Sequence, residues 1–173
     1  MLAPHDNPHT RRPVRSAGAA ARPHTLAVSG PCVVCAIAAG RLPARIVHAA
    51  LGLAAFLATT PLLPGHVLVV PRAHHETFDD LPPALIGPLF GAVKRISIAV
   101  QAAMPADGSF VAVNTRISQS VPHLHVHIVP RHQGDGLFSP RPIWKRRSYT
   151  RDTEATGYAQ KIAAAYEAVA ARR

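Results

Sequence analysis

The chain has 173 residues, 48% of them hydrophobic, which is enough for one domain with an adequate core and a tail or two. Nineteen Lys and Arg against nine Asp and Glu give a net charge of +10 and favour anionic partners such as nucleotides and phosphates. No specific nucleic-acid surface is expected, because aromatics are only 5% and the bases gather in 11–22 and 141–151 rather than on one face. No membrane span is expected either, since Pro, Gly or charge interrupts every apolar run.

Residues 1–29 are rich in Arg, Ala, Pro and His with a single acid, Asp6, and read as a disordered basic extension. They are acid-poor like a transit peptide but lack its apolar stripe, and Arg11-Arg12 precedes no secretory apolar core, so a cytoplasmic location is expected. A folded domain over 30–136 follows, then a basic C-terminal segment with a terminal helix over 137–173. Cys32 and Cys35 are the only cysteines, spaced C-x-x-C after Gly30-Pro31. They fit two buried thiols, half a zinc site, or a redox pair, although the βαβ context of a redox pair does not follow.

The composition predicts a short helix over 33–40 closed by Gly40, then a strand pair over 44–48 and 51–59 turning near Gly52. After the Pro61–Gly65 turn, 66–71 (HVLVVP) reads as a buried strand. His66 at its head is either a satisfied core histidine or a group that orients a neighbour. Asp79-Asp80 and Pro82-Pro83 open a helix over 79–104. Leu85, Leu89, Val93, Ile96 and Val100 recur along it at helical spacing, and Pro88 should shorten or bend its start. Asp107-Gly108 then leads into a strand over 109–114.

Within 119–131, QSVPHLHVHIVPR, His123, His125 and His127 alternate with Leu124, Val126 and Ile128. A strand has period two, so the imidazoles share one face and the aliphatics point into a core, with Pro122 and Pro130 bracketing the element. Such a face can be a solvated polar surface, a metal site, or a nucleophile flanked by oxyanion donors. The outer rings stand roughly 13 Å apart along an extended strand, so the three cannot share one ion. Beyond 132–136, a loop, come the lone Trp144 and the bases Lys145, Arg146 and Arg147. Trp144 is expected to anchor packing and the bases to be solvated, with contact to a leaving group the alternative. Asp152 or Thr153 caps a last helix that docks through Ala155, Tyr158, Ile162, Ala165 and Val169.

The triad run, its Gln119-Ser120-Val121 lead and the feature order over 32–136 resemble the histidine triad family of nucleotide hydrolases and transferases, in its bacterial zinc-bearing branch. The resemblance implies an α+β fold: an antiparallel sheet of about five strands, one long helix packed on it, and a C-terminal helix. It implies a homodimer acting at the α-phosphate of a nucleotide-type small molecule, a phosphoramidate or dinucleoside polyphosphate, through a nucleotidyl-histidine intermediate. By the same resemblance His125 is the nucleophile, His127 donates to a phosphate oxygen, and His66 orients the triad from behind. Asn114, Gln119 and Ser120 would touch the phosphate and bridging oxygens. Structural zinc would sit on Cys32, Cys35, His74 and His123, with His75 able to replace His74, and the chemical step would require no metal.

Two departures from the family pattern stand out. Ala58 occupies the position of a ribose-binding acid, and an alanine accepts no hydroxyl hydrogen bond. The 114–123 loop is short and carries Ser118 where the family has Gly. A catalytically weak nucleotide-binding protein is therefore the alternative expectation. A zinc hydrolase with His123 and His125 as ligands is the third.

Overall fold

The structure, a computed structural model, describes residues 32–139 and 146–172. The basic extension 1–29, Trp144 and Lys145 lie outside the described residues. The elements run α1 (Val33–Ala38), β1 (Ile46–Ala50), β2 (Leu53–Leu57), β3 (Val67–Pro71), α2 (Pro83–Ala103), β4 (Gly108–Val113), β5 (Val126–Arg131) and α3 (Asp152–Ala170). The five strands form one antiparallel sheet in the order β1-β2-β3-β5-β4. This is the expected α+β architecture.

The pleat sorts the core into two faces. Leu53, Ala55 and Leu57 of β2 and Val67 and Val69 of β3 enter the larger core beneath the two long helices, with Leu89, Val93 and Ile96 of α2 and Ile162 of α3. The alternate residues Ala54, Phe56 and Val70 meet α1 through Val34 and Ala38 on the other face. Burying each of the large aliphatics contributes roughly 1.5–3 kcal/mol. The β1–β2 hairpin closes over Leu51 and Gly52, both at positive φ (53° and 76°), as a two-residue turn matched to strand twist requires.

Three boundaries move for identifiable reasons. Helix α2 begins at Pro83, not at 79, because Asp80 Oδ2 accepts from Thr77 N and Oγ1 at 2.9 and 2.7 Å and builds a turn there. Pro88 lies inside α2 without ending it; near the N-terminus its missing N–H costs only one ladder bond. By length and composition α2 could cross a membrane, but Leu89, Ile96, Ala99 and Val100 are spent on the core of this domain.

The triad strand also shifts. It begins at Val126, because Leu124 N donates to His75 O at 2.6 Å and His123 N to Val121 O at 2.8 Å, tying this stretch to loops. Pro130 lies inside β5, not beyond it: β3 pairs only with Val126–Ile128, so past Ile128 the strand has β4 alone as neighbour. On such a half-edge the absent N–H is tolerated. Leu124, Val126 and Ile128 still all enter the helix-side core, as their alternation requires. At the last helix the N-cap is Arg151 and has no side-chain cap bond, so neither Asp152 nor Thr153 caps it; Thr150 N donates to Glu154 Oε2 at 3.1 Å beside it.

Candidate active site and metal cluster

On the sheet face opposite α2 lies a cavity of about 650 Å³. The histidines His66, His125 and His127 line it, with Asn114, Ser118 and Ser120 from the β4–β5 loop and Val33, Val34 and Ile37 of α1. The sequence offered a helix at 33–40 but no role for it; its packing over Phe56 and Val70 brings these apolar side chains to the cavity.

The hydrogen bonds decide which nitrogen of each ring carries the proton. His125 is 6% exposed, and its Nδ1 lies 2.7 Å from His123 O, a carbonyl that can only accept. The proton is therefore on Nδ1 and the Nε2 lone pair is free. Leu62 N donates to His66 Nδ1 at 3.2 Å, which places the His66 proton on Nε2. That Nε2 donates across 3.0 Å to His127 Nδ1, so the His127 proton sits on Nε2. His127 Nε2 is buried without a partner among the described residues. The result is one free lone pair and one free N–H side by side, on rings whose centroids are 4.8 Å apart.

This assignment needs neutral rings, and burial keeps them so. His66 is pushed down to about 3 by burial, then by His127 and Arg146. His127 is pushed down to about 4 by burial, then by His125 and Arg146. His125 is lowered too, burial again leading, against the His123 carbonyl that raises it.

Among the loop residues, Asn114 and Ser120 line the cavity, and Asn114 Nδ2 makes only a long 3.5 Å bond to Ser118 O. Gln119 is turned away from it. Its Oε1 accepts from Arg116 N at 2.8 Å and its Nε2 donates to Glu76 O at 2.6 Å, which pins the loop to the segment after β3. Ser118 adopts φ 60°, the left-handed conformation for which glycine is suited. Ala58 lines the cavity with a buried methyl. Arg146, expected to be a solvated base, lines the cavity near the histidines, its segment held where Arg147 N donates to Pro61 O at 2.7 Å.

Beside this site, Cys32, Cys35, His74 and His123 converge, their ligand atoms all within 4.8 Å of one another. His123 Nδ1 lies 3.4 Å from both Cys32 Sγ and Cys35 Sγ, and His74 Nδ1 lies 3.3 Å from Cys35 Sγ. Four-coordinate zinc, with bonds near 2.3 Å to sulfur and near 2.1 Å to nitrogen, implies S···N edges of roughly 3.6 Å. His123 Nε2 donates to Pro71 O at 2.9 Å, which leaves its Nδ1 lone pair facing the sulfurs, the usual arrangement behind a metal-bound imidazole. The four side chains thus fit a zinc ion. His75 is not in the cluster; its ring Nε2 is buried without a partner among the described residues, and its carbonyl holds Leu124 N. His125 also lies outside it and lines the cavity.

The HIT domain profile matches residues 39–134. An uncharacterized HIT-like protein of Mycobacterium tuberculosis is 35% identical over 144 residues, covering 82% of this chain and 99% of its own. An adenylylsulfatase of Arabidopsis thaliana is 32% identical over 127 residues, covering 72% of this chain and 64% of its own. The crystal structure of a zinc-bound histidine triad family protein from Mycobacterium smegmatis superposes with a TM-score of 0.71 at 30% identity. It covers 82% of this chain and 97% of its own.

Proposed function

The chain belongs to the HIT domain family, some members of which are nucleotide hydrolases, and on that premise we propose that it acts at the α-phosphate of nucleotide conjugates. Phosphoramidates and dinucleoside polyphosphates are the candidate substrates, and the reaction runs through a nucleotidyl adduct on His125. One observation carries the reading: His125 Nδ1–H is spent on the His123 carbonyl, so a neutral ring offers its Nε2 lone pair in a cavity beside the His127 N–H.

His125 Nε2 attacks phosphorus, forming an N–P bond as the bond to the leaving group breaks and its electron pair departs with that group. A neutral imidazole meets less repulsion at an anionic phosphoryl centre than a carboxylate would. His127 Nε2–H, fixed by the His66 relay, donates to a nonbridging oxygen, with Ser120 Oγ and Asn114 Nδ2 available to the others. These bonds strengthen as charge builds in the transition state. Water then cleaves the N–P bond, giving the nucleoside monophosphate and regenerating His125. Gln119 contributes by holding the loop through Glu76.

Cys32, Cys35, His74 and His123 would hold zinc, and the ion would supply a cross-link between the α1 start and the triad stretch. The HIT domain of this reading is 30–136, with α3 packed on its core through Ile162 and Arg146 brought to its cavity. Strand β4, at the sheet edge with Val111 exposed, supports a homodimer. Ala58 supports the second reading, nucleotide binding with weak turnover, because no carboxylate meets a ribose hydroxyl there.

The test is to quench the protein with a nucleoside phosphoramidate and a dinucleoside polyphosphate and map adducts by mass spectrometry. A nucleotidyl group on His125, absent in His125→Ala together with several orders of magnitude of turnover, is expected. A nearly active His125→Ala sinks the nucleophile; tight binding with neither adduct nor product establishes the weak binder.

A further inference from the structure

The charges around the cavity are unequally answered. Among the described residues that line it there is no Asp or Glu, and His66, His125 and His127 are neutral. Arg45, also at the wall, is paired with Asp152. Arg146 is different: its exposed side chain lines the cavity and has no carboxylate or hydrogen-bond partner among the described residues. It is close enough to disfavour protonation of all three rings. Its placement is built in, because the Arg147 N–H bond to Pro61 O straps the segment next to Leu62, whose own N–H holds His66.

The phosphorus of a conjugate under attack carries one negative charge, and three neutral donors, on His127, Ser120 and Asn114, already serve it. A permanent cation lining the same cavity answers a second anionic group. We propose that Arg146 binds the leaving group and is the residue that makes this site favour conjugates whose leaving group is a tetrahedral oxyanion, sulfate or phosphate, over those that expel an amine. The proposal rests on His125 as nucleophile. When the N–P bond forms and the P–O bond breaks, the electron pair stays on the departing oxygen, and the guanidinium fork offsets that charge with no proton transferred. An amine must gain a proton to leave, and no carboxylic acid lines the cavity to supply it.

The experiment compares kcat/KM for a nucleoside phosphosulfate, a dinucleoside tetraphosphate and a nucleoside phosphoramidate in the wild type, Arg146→Ala and Arg146→Lys. Binding of inorganic pyrophosphate and of sulfate is measured calorimetrically alongside. Arg146→Ala should lose about 10- to 100-fold more on the oxyanion-leaving substrates than on the phosphoramidate, the usual cost of a charged hydrogen bond, and Arg146→Lys should recover part of it. Loss on one oxyanion substrate alone identifies sulfate or phosphate as the group bound. Equal losses on all three substrates, or none, overturn the assignment. If the wild type turns over nothing, the nucleophile reading has failed, and pyrophosphate and sulfate binding decide alone. A tenfold weakening of either in Arg146→Ala upholds the anion site, and unchanged affinities refute it.

Discussion

The relay from Leu62 through His66 to His127 works only while His66 is neutral, and that can be read as stability against pH. His66 is 3% exposed and its folded pKa is about 3, against about 6.5 for a histidine in an unfolded chain. The folded value is depressed, so protons bind the unfolded chain preferentially between the two values. The stability due to the neutral ring is complete above about pH 6.5 and drains away as pH falls toward 3. At pH 5 the unfolded ring is almost fully protonated and the folded one is not, a loss of about 2 kcal/mol, rising to about 3 kcal/mol at pH 4. Against a domain stability of roughly 5–15 kcal/mol this is measurable. Urea denaturation followed by circular dichroism at pH 7.5 and 5.0 reads it. His66→Gln removes the titrating ring, starts less stable at both pH values, and should lose about 2 kcal/mol less over the interval than the wild type. Cysteine and zinc contributions are common to both proteins and cancel. Equal losses in the two proteins would mean that His66 is protonated on both nitrogens in the fold, and its Nδ1 could not then accept from Leu62 N.

Two further outcomes are expected. Cys32→Ser should release zinc, measured by elemental analysis, and lower the melting temperature, since Cys32 Sγ faces His123 Nδ1 at 3.4 Å; unchanged metal content would exclude the cluster as the zinc site. Ser118→Gly should raise stability by up to about 1 kcal/mol in thermal melts, because Ser118 holds φ 60°, which a side chain disfavours. A lower melting temperature would show that the hydroxyl outweighs the backbone cost.

What could be read before any coordinates followed from how local each cause is. Alternation over 123–128 was legible because period two in a half-buried strand leaves the aliphatics one way to go, and Leu124, Val126 and Ile128 went that way. The place of Pro130 was not, because it depends on β3 beginning at Val67 and leaving β5 half unpaired. The phosphate contact expected of Gln119 came from the family resemblance; its amide partner, the Glu76 carbonyl, is 43 residues away and invisible to spacing. Arg146 read as one solvated base among several, with contact to a leaving group the alternative, since nothing periodic distinguishes it. Its position comes from one tertiary bond, Arg147 N to Pro61 O. His74 over His75 was decided by the chain path after β3, which turns one ring to the cysteines and gives the other's carbonyl to Leu124.

The position at which the metal cluster is best probed also follows from the geometry. His123 serves both centres at once: its Nδ1 faces the sulfurs, its Nε2–H is fixed by the Pro71 carbonyl, and its own carbonyl holds the proton of His125. It is fully buried, so removing the ring opens a cavity and leaves the Pro71 carbonyl without its donor, while also disturbing the backbone that sets the His125 tautomer. A loss of activity in a His123 variant would therefore not separate the ion from the relay. Cys32 is half-buried at the entry to α1, and its hydrogen-bonded ring is His123 rather than His66, His125 or His127 among the described residues. Its hydrogen bond within α1 accepts from Cys35 N, a role a serine oxygen can also fill. Cys32→Ser thus weakens metal binding while leaving the carbonyl behind His125 in place, and turnover that survives zinc loss in that variant would separate a structural ion from a catalytic one.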